Sequence, residues 1–304
     1  MTEQVTEQAM RKPERPPAGG EGPAIAFEAE AACALRAVYE GSLICGERGV
    51  DPPAVTFKES PRDVVTEIDR RIEHTIRRHL EPCGHPVLGE EGCGPNAVFP
   101  PVDDQPVWVV DPLDGTANFV SGMPWFAVAA GLWVGGDFVL GAVALPASRE
   151  LLFTHGVRGA FLNGRPLSRP GRESPFAQAL IAAGFAGHVP DPEQRRRQYA
   201  LFGRINDQSR GALRLGSTIA NICQVAAGRL QGAYGLGVRV WDAAAALAIA
   251  RAAGYTVRWR LDPQDPTRLD FVVGTAAVVT AINAAMAETG AAAALETPES
   301  ETQA

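Results

Sequence analysis

Two aspartates, Asp111 and Asp114, close an apolar run in VVDPLDGTANFV, residues 109–120. Paired carboxylates at a strand end repel each other and are costly to bury, so a cap, a basic partner or a metal must compensate for them. Pro112 pins the turn, and Gly115 lets the backbone approach a ligand closely. Three further segments place acids where the chain turns: VTEID with Asp69, LGEEG with Glu90 and Glu91, and VWDAAAA with Asp242. Each has an ordinary reading alone. Asp69 reads as an exposed helical acid and Glu90-Glu91 as a solvated loop. Asp242 reads as an N-cap or first-turn residue that complements a helix dipole. Together they fit another chemistry. Magnesium takes oxygen ligands and needs only one or two carboxylates per ion. A carboxylate shared between two such ions is the basis of two-metal phosphoryl transfer. Bound cations would offset the repulsion among Glu90, Asp111, Asp114 and Asp242.

The elements that must position these acids follow from periodicity. An Ala/Glu-rich stretch over residues 25–48 predicts a helix. RDVVTEIDRRIEHTIRRHLEP (62–82) predicts a second, with Val64, Val65, Ile68, Ile72, Ile76 and Leu80 near helical spacing and Pro82 as its end. PVWVV (106–110) is a short apolar strand delivering Asp111. Residues 125–148 read as two strands around Gly135-Gly136, and 150–167 as a hairpin turning at Asn163-Gly164. SRPGRESPF (168–176) is a crossover and the best boundary. Beyond it QALIAAGF and QGAYG read as strands, and DPEQRRRQYALFGRIND and STIANICQVAAGRL as helices. WDAAAALAIARAAG is a third helix in this half, stopped by Gly254. The expected organisation is an α+β half over 25–168 with most of the acids and an α/β half over 169–285, between flexible tails at 1–24 and 286–304.

Composition narrows the function. With 304 residues, 46% hydrophobic and 21% charged, the chain reads as globular with a sizeable core. A net charge of -7 argues against a broad basic nucleic-acid surface. No apolar run is long enough for a membrane span, and the polar start lacks the apolar core of a secretory signal, so a cytoplasmic protein is expected. The five cysteines are odd in number and without a CxxC pair, which predicts free thiols rather than a zinc site. No dinucleotide or P-loop fingerprint occurs in a strand-to-helix context.

DPLDGTANF (111–119) together with WDAAAALAIARAAG (241–254) resembles the paired signature of the inositol monophosphatase family, magnesium-dependent, lithium-sensitive phosphatases related to fructose-1,6-bisphosphatase. FKESPRDVVTEID (57–69), LGEEG (88–92) and GVRGAFLNGRPL (156–167) agree in order, and the likeness runs over roughly residues 25–285. The resemblance implies a layered α-β-α-β-α sandwich, a homodimer, and two to three Mg²⁺ ions acting on a small polyol or sugar phosphate, inositol monophosphate by default. It implies metal ligation by Glu90, Asp111, the Leu113 carbonyl, Asp114 and Asp242. Glu90 and Thr116 would orient or deprotonate the attacking water, with Asp69 beside Thr116. Asp114, Gly115, Thr116, Ser217 and Thr218 would line the substrate side, the Gly115 and Thr116 amides gripping phosphate at a helix start. Lys58 would lie in a loop that helps hold a third ion.

The chain departs from the family pattern at Gly235, where enzymes acting on inositol carry a glutamate that holds ring hydroxyls. That loosens the link to myo-inositol itself. Histidinol phosphate, fructose-1,6-bisphosphate and 3′-phosphoadenosine 5′-phosphate are alternative substrates of the same chemistry. A regulatory protein that keeps the fold without catalysis is the alternative from another class.

Overall fold

The computed structural model describes residues 27–48, 55–57, 64–92, 99, 105–154, 159–168, 174–185, 189 and 191–296. Lys58, Cys93 and the tail over residues 1–24 lie outside them.

Helix α1 (Glu28–Ile44) buries Ala31, Ala34, Leu35 and Val38. Strands β1 (Val55–Phe57) and β2 (Val64–Thr66) form a separate two-stranded ribbon. The second helix, α2 (Glu67–Leu80), therefore starts later than its apolar spacing suggested. The β-branched Val64-Val65-Thr66 run is extended, and Thr66 caps the helix. Its Oγ1 accepts from the Ile68 and Asp69 amides while Asp69 Oδ2 accepts from the Thr66 amide at 2.8 Å. This reciprocal capping box sets the boundary.

Strands β3 (Val87–Gly89), β4 (Val107–Asp114), β5 (Ala127–Val134), β6 (Asp137–Leu145), β7 (Glu150–Thr154), β8 (Ala160–Leu162) and β9 (Arg165–Leu167) form one sheet in chain order. Only the β3–β4 pair is parallel. The expected hairpin over 150–167 is thus three strands, with the turn at Asn163-Gly164, both at positive φ. The second half holds β10 (Leu180–Phe185), α4 (Pro192–Gln208), β11 (Gly211–Leu213), α5 (Thr218–Ala226), β12 (Gly232–Arg239), α6 (Ala244–Ala252), β13 (Thr256–Leu261), β14 (Arg268–Gly274) and α7 (Ala276–Thr289). A short helix after β4, α3 (Thr116–Val120), is called the 116–120 turn below. The second sheet runs β11-β10-β12-β14-β13, parallel where β10 meets β11 and β12 and antiparallel elsewhere.

Side-chain alternation along the strands builds the layers. On β4, Trp108 and Val110 pack with α1 and α2, whereas Val107 and Val109 face a core shared with α5, α6 and the inner face of the second sheet. On the second sheet Ala182, Ala233, Phe271 and Val273 face that middle core, while Ala183, Tyr234 and Val272 pack outward with α4 and α7. The result is the expected α-β-α-β-α sandwich. The last helix runs past residue 285, and Met286 and Leu295, both inside the stretch expected as a flexible tail, are buried in the core beneath α4 and α7. Helix α6 is alanine-rich because it lies directly on the first sheet. A Cβ built on Gly131 would stand 2.8 Å from the Ala245 nitrogen, and one on Gly141 2.0 Å from its carbonyl oxygen.

Candidate active site

The spacing of the paired aspartates makes structural sense only with the register of β4. Asp111 lies opposite Ala129 and Asp114 opposite Ala127, so β4 spends one extra residue and bulges. In a regular strand residues three apart point to opposite faces. The bulge returns both aspartates to the face of Ala127 and Ala129, which is the middle core. Pro112 has no amide to lose there, and Leu113 turns its side chain to the core beneath α1 and α2. The chain then breaks at Gly115, whose φ of 89° an L side chain rarely adopts, and enters the 116–120 turn.

Asp111 is buried. Its Oδ1 accepts the Leu113 amide at 2.9 Å, and its Oδ2 is buried with no hydrogen-bond partner. Burial, then the charges of Glu90, Asp114 and Asp242, push its carboxyl well above the ordinary range. Asp114 Oδ2 accepts from Ser217 Oγ at 2.5 Å and from the Ile219 amide at 2.7 Å. Burial raises its pKa to about 6 against these hydrogen bonds. Asp242 does not cap α6, whose N-cap is Ala243. Instead it turns back to accept the Arg239 amide at 3.3 Å. Burial, then Asp114 and Glu90, raise its pKa well above the usual value, with Arg239 opposing. Glu90 sits on the loop after β3, its amide donated to the Val110 carbonyl at 3.3 Å.

The acids of β4, the β3 loop and the start of α6 therefore share one field. They remain a loose group: among the described residues no three His, Cys, Asp or Glu side chains close into a cage able to hold a metal by themselves. Like charges without a counterion do not close together, and a hard cation that keeps several waters needs few carboxylates. Of the buried polar side-chain atoms without a hydrogen-bond partner among the described residues, Asp111 Oδ2 is the one carboxylate oxygen, and it is the atom that a divalent cation would satisfy. The residues present fit such an ion.

Asp69 is not the exposed helical acid of its ordinary reading but is buried. Its Oδ2 serves the capping box, and Oδ1 accepts from Thr116 Oγ1 at 3.0 Å. Thr116 Oγ1 also lies 2.8 Å from the Leu113 carbonyl oxygen. Burial raises the Asp69 pKa, with hydrogen bonds from Thr66 and Thr116 opposing. Ser217 is fully buried as the N-cap of α5, where its hydroxyl serves Asp114 and accepts the Ala220 amide at 3.2 Å. Thr218 is the first residue of that helix. At Gly235, a Cβ would stand 2.2 Å from Cε1 of Phe271 on the paired strand. An aromatic ring thus fills the space where a longer side chain at 235 would start.

Sequence reasoning missed several supports. Asn118 Nδ2 donates to the carbonyls of Trp125 and Leu215, each at 2.8 Å, tying the 116–120 turn to the segment before Ser217. Trp125 Nε1 donates to Asn221 Oδ1 of α5 at 3.1 Å. Glu73, one helical turn after Asp69, is also buried, and its i,i+4 placement was the available signal.

A five-layer sandwich that gathers carboxylates from both halves beside a Thr–Asp pair is an architecture suited to phosphate-ester hydrolysis at an acidic, cation-attracting site. The comparisons with known proteins give the particular family. The Inositol monophosphatase family matches residues 24–299, and the chain belongs to it. It is a phosphatase of a family whose members are generally metal-dependent. It is 38% identical to Inositol-1-monophosphatase SuhB of Mycobacterium tuberculosis, over 82% of this chain and 86% of that one. It is 34% identical to the Nus factor SuhB of Pseudomonas aeruginosa, over 67% of this chain and 75% of that one. Among solved structures it resembles the extragenic suppressor protein suhB from Bartonella henselae, with a TM-score of 0.72 and 26% identity, covering 85% of this chain and 98% of that one.

Proposed function

We propose that the protein is a Mg²⁺-dependent phosphomonoesterase that hydrolyses a small polyol or sugar phosphate, with inositol monophosphate as the first substrate to test. The observation that carries this reading is the bulge that turns Asp111 and Asp114 to one face, in the same field as Glu90 and Asp242.

Glu90, Asp111, the Leu113 carbonyl, Asp114 and Asp242 would hold two to three Mg²⁺ ions. When bound, these supply charge neutralisation and acidify nearby water. The chain's own residues supply the rest. Thr116 Oγ1, donating to Asp69 Oδ1, keeps its lone pairs for a water proton, and the buried Asp69 carboxyl can hold that proton. Glu90 is the second acceptor within the acidic group. The water oxygen forms the new bond to phosphorus as the ester P–O bond breaks, and the leaving oxygen takes a proton from solvent to depart as the alcohol. The Gly115 and Thr116 amides at the start of the 116–120 turn, with Asp114 and the Ser217-Thr218 segment behind it, orient the phosphate and the leaving alcohol.

Phe271 beside Gly235 supports a second reading within the same chemistry, in which the leaving alcohol is not myo-inositol but the alcohol of histidinol phosphate, fructose-1,6-bisphosphate or 3′-phosphoadenosine 5′-phosphate. Phosphate release from a panel of these esters and inositol-1-phosphate, with Mg²⁺ and with chelator, separates the readings. No release from any ester with Mg²⁺ supplied would refute the activity. Millimolar lithium inhibition and a homodimer by light scattering belong to the same reading. So does a cytoplasmic place, and fractionation tests it.

A further inference from the structure

Glu73 is a buried acid outside the metal-binding set, and together with its ion-pair partner Arg77 it holds one short segment. Its Oε1 accepts Arg77 Nε at 2.8 Å and lies 2.6 Å from Arg77 Nη2, an i,i+4 pair on α2. Its Oε2 accepts the Glu91 amide at 2.8 Å. Arg77 Nη1 donates to the Val87 carbonyl at 3.1 Å. The segment Val87–Gly92 is thus gripped at both ends by two side chains of one helix face. The contact is close enough to exclude side chains: a Cβ on Gly89 would stand 2.6 Å from Glu73 Oε1, and one on Gly92 2.1 Å from Arg77 Nη2. Glu90 lies between these anchors, its own amide fixed to the Val110 carbonyl, next to Asp111.

We propose that Glu73 is a positioning residue that, with Arg77, clamps the 89–92 loop so that Glu90 faces the acids of β4 and α6. A loop carrying an acid toward three other acids is pushed away by their like charge. A buried, charge-assisted hydrogen bond to the next residue's backbone resists that push where Glu90 cannot do so itself. The same helix, one turn earlier, carries Asp69 to Thr116, so α2 sets both the proton acceptor and the Glu90 loop from one rigid face. Residues that orient metal ligands from behind commonly change metal affinity or activity by about 10–100-fold when mutated.

This inference rests on the phosphatase reading above, and its test separates the two. Glu73→Gln keeps the shape and an acceptor for the Glu91 amide but removes the charge that holds Arg77. Calorimetric Mg²⁺ affinity and kcat should each fall about tenfold, with the KM of the phosphate ester within about twofold. In a Glu90→Gln background the same substitution should add less than about twofold, because its effect passes through Glu90. Arg77→Lys, which keeps a cation beside Glu73, should retain more of the Mg²⁺ affinity than Glu73→Gln and reads the clamp if the latter fails to fold. Without cation, hydrogen exchange of the Glu91 amide should quicken in Glu73→Gln while that of Ile76 and Leu80 stays slow. A Glu73→Gln effect undiminished by Glu90→Gln, unchanged Mg²⁺ affinity, or an equally protected Glu91 amide would each overturn the clamp. Wild-type protein that releases no phosphate refutes the phosphatase reading instead and leaves the exchange measurement to decide on Glu73.

Discussion

Neutralising Asp114 should make the chelated protein more stable while removing its activity. Asp114→Asn keeps an oxygen to accept from Ser217 Oγ and the Ile219 amide, so the scaffold around α5 is retained. What it removes is a charge that folding disfavours: the carboxyl rises from its ordinary 3.8 to about 6. At about 1.4 kcal/mol per tenfold, that rise corresponds to about 3 kcal/mol. The folded state binds more protons than the unfolded chain between these two values, so stability falls as pH rises through that window and the full penalty stands above it. In chelator at pH 7.5, Asp114→Asn should therefore melt roughly 6 °C above wild type, given about 2 °C per kcal/mol for a chain of this size. At pH 4 the gap should close, because the wild-type carboxyl is then protonated in the folded protein. Adding Mg²⁺ at pH 7.5 should raise only the wild type substantially, since binding to the folded state stabilises it. Differential scanning calorimetry at both pH values reads the effect. If Asp114→Asn melts at or below wild type in chelator at pH 7.5, the acids do not carry a charge penalty and the electrostatic account of the site fails.

Other substitutions test the supports. Thr116→Val removes the hydroxyl that meets Asp69 and the Leu113 carbonyl, and kcat should fall about 10²–10³-fold with KM nearly unchanged, as steady-state kinetics with Thr116→Ser as the control will show. Ser217→Ala loses a helix cap, about 1 kcal/mol, and a hydrogen bond to charged Asp114, about 1.5–3 kcal/mol, so urea unfolding should show a loss of about 2–4 kcal/mol. Gly141→Ala forces a methyl against the Ala245 backbone, which should destabilise by about 1–3 kcal/mol and, by lifting α6, weaken Mg²⁺ binding in calorimetry.

The acids themselves were legible because catalytic residue types at turns stand out against apolar strands, and the layered sandwich followed from the family resemblance carried by those turns. What the sequence concealed is how the acids are turned toward one another. The β4 bulge is a matter of pairing with β5, and nothing in DPLD states which partner residues it will face. The start of α2 was misplaced because Val64 and Val65 continue the helical spacing although they are extended. The Thr66–Asp69 capping pattern was in plain view and outweighs periodicity at a helix end. Asp242 looked like a cap, but Arg239, three residues upstream, claims its carboxylate. Ser217 was legible only as a residue of the substrate side, and its hydroxyl also serves Asp114, 103 positions away on β4, a pairing that only the tertiary fold can specify.

A common rule organises the aspartates: one oxygen is tied to the scaffold. Asp111 uses Oδ1 on the Leu113 amide, Asp69 uses Oδ2 on Thr66, Asp114 uses Oδ2 on Ser217 and Ile219, and Asp242 uses Oδ2 on the Arg239 amide. Each tie is local or reaches a helix start, so the carboxylates are held against their mutual repulsion by backbone amides rather than by basic side chains, which would neutralise the field that attracts a cation. Alanine and asparagine should therefore part company at position 114. Asn keeps the acceptor and loses the charge, which raises stability. Ala leaves the Ser217 hydroxyl and the Ile219 amide buried without a partner, at about 1–3 kcal/mol for such a group. Urea unfolding in chelator at pH 7.5 should rank Asn above wild type and Ala below Asn by at least that amount. Equal stability of the two variants would mean that the Asp114 oxygen is not what anchors the start of α5.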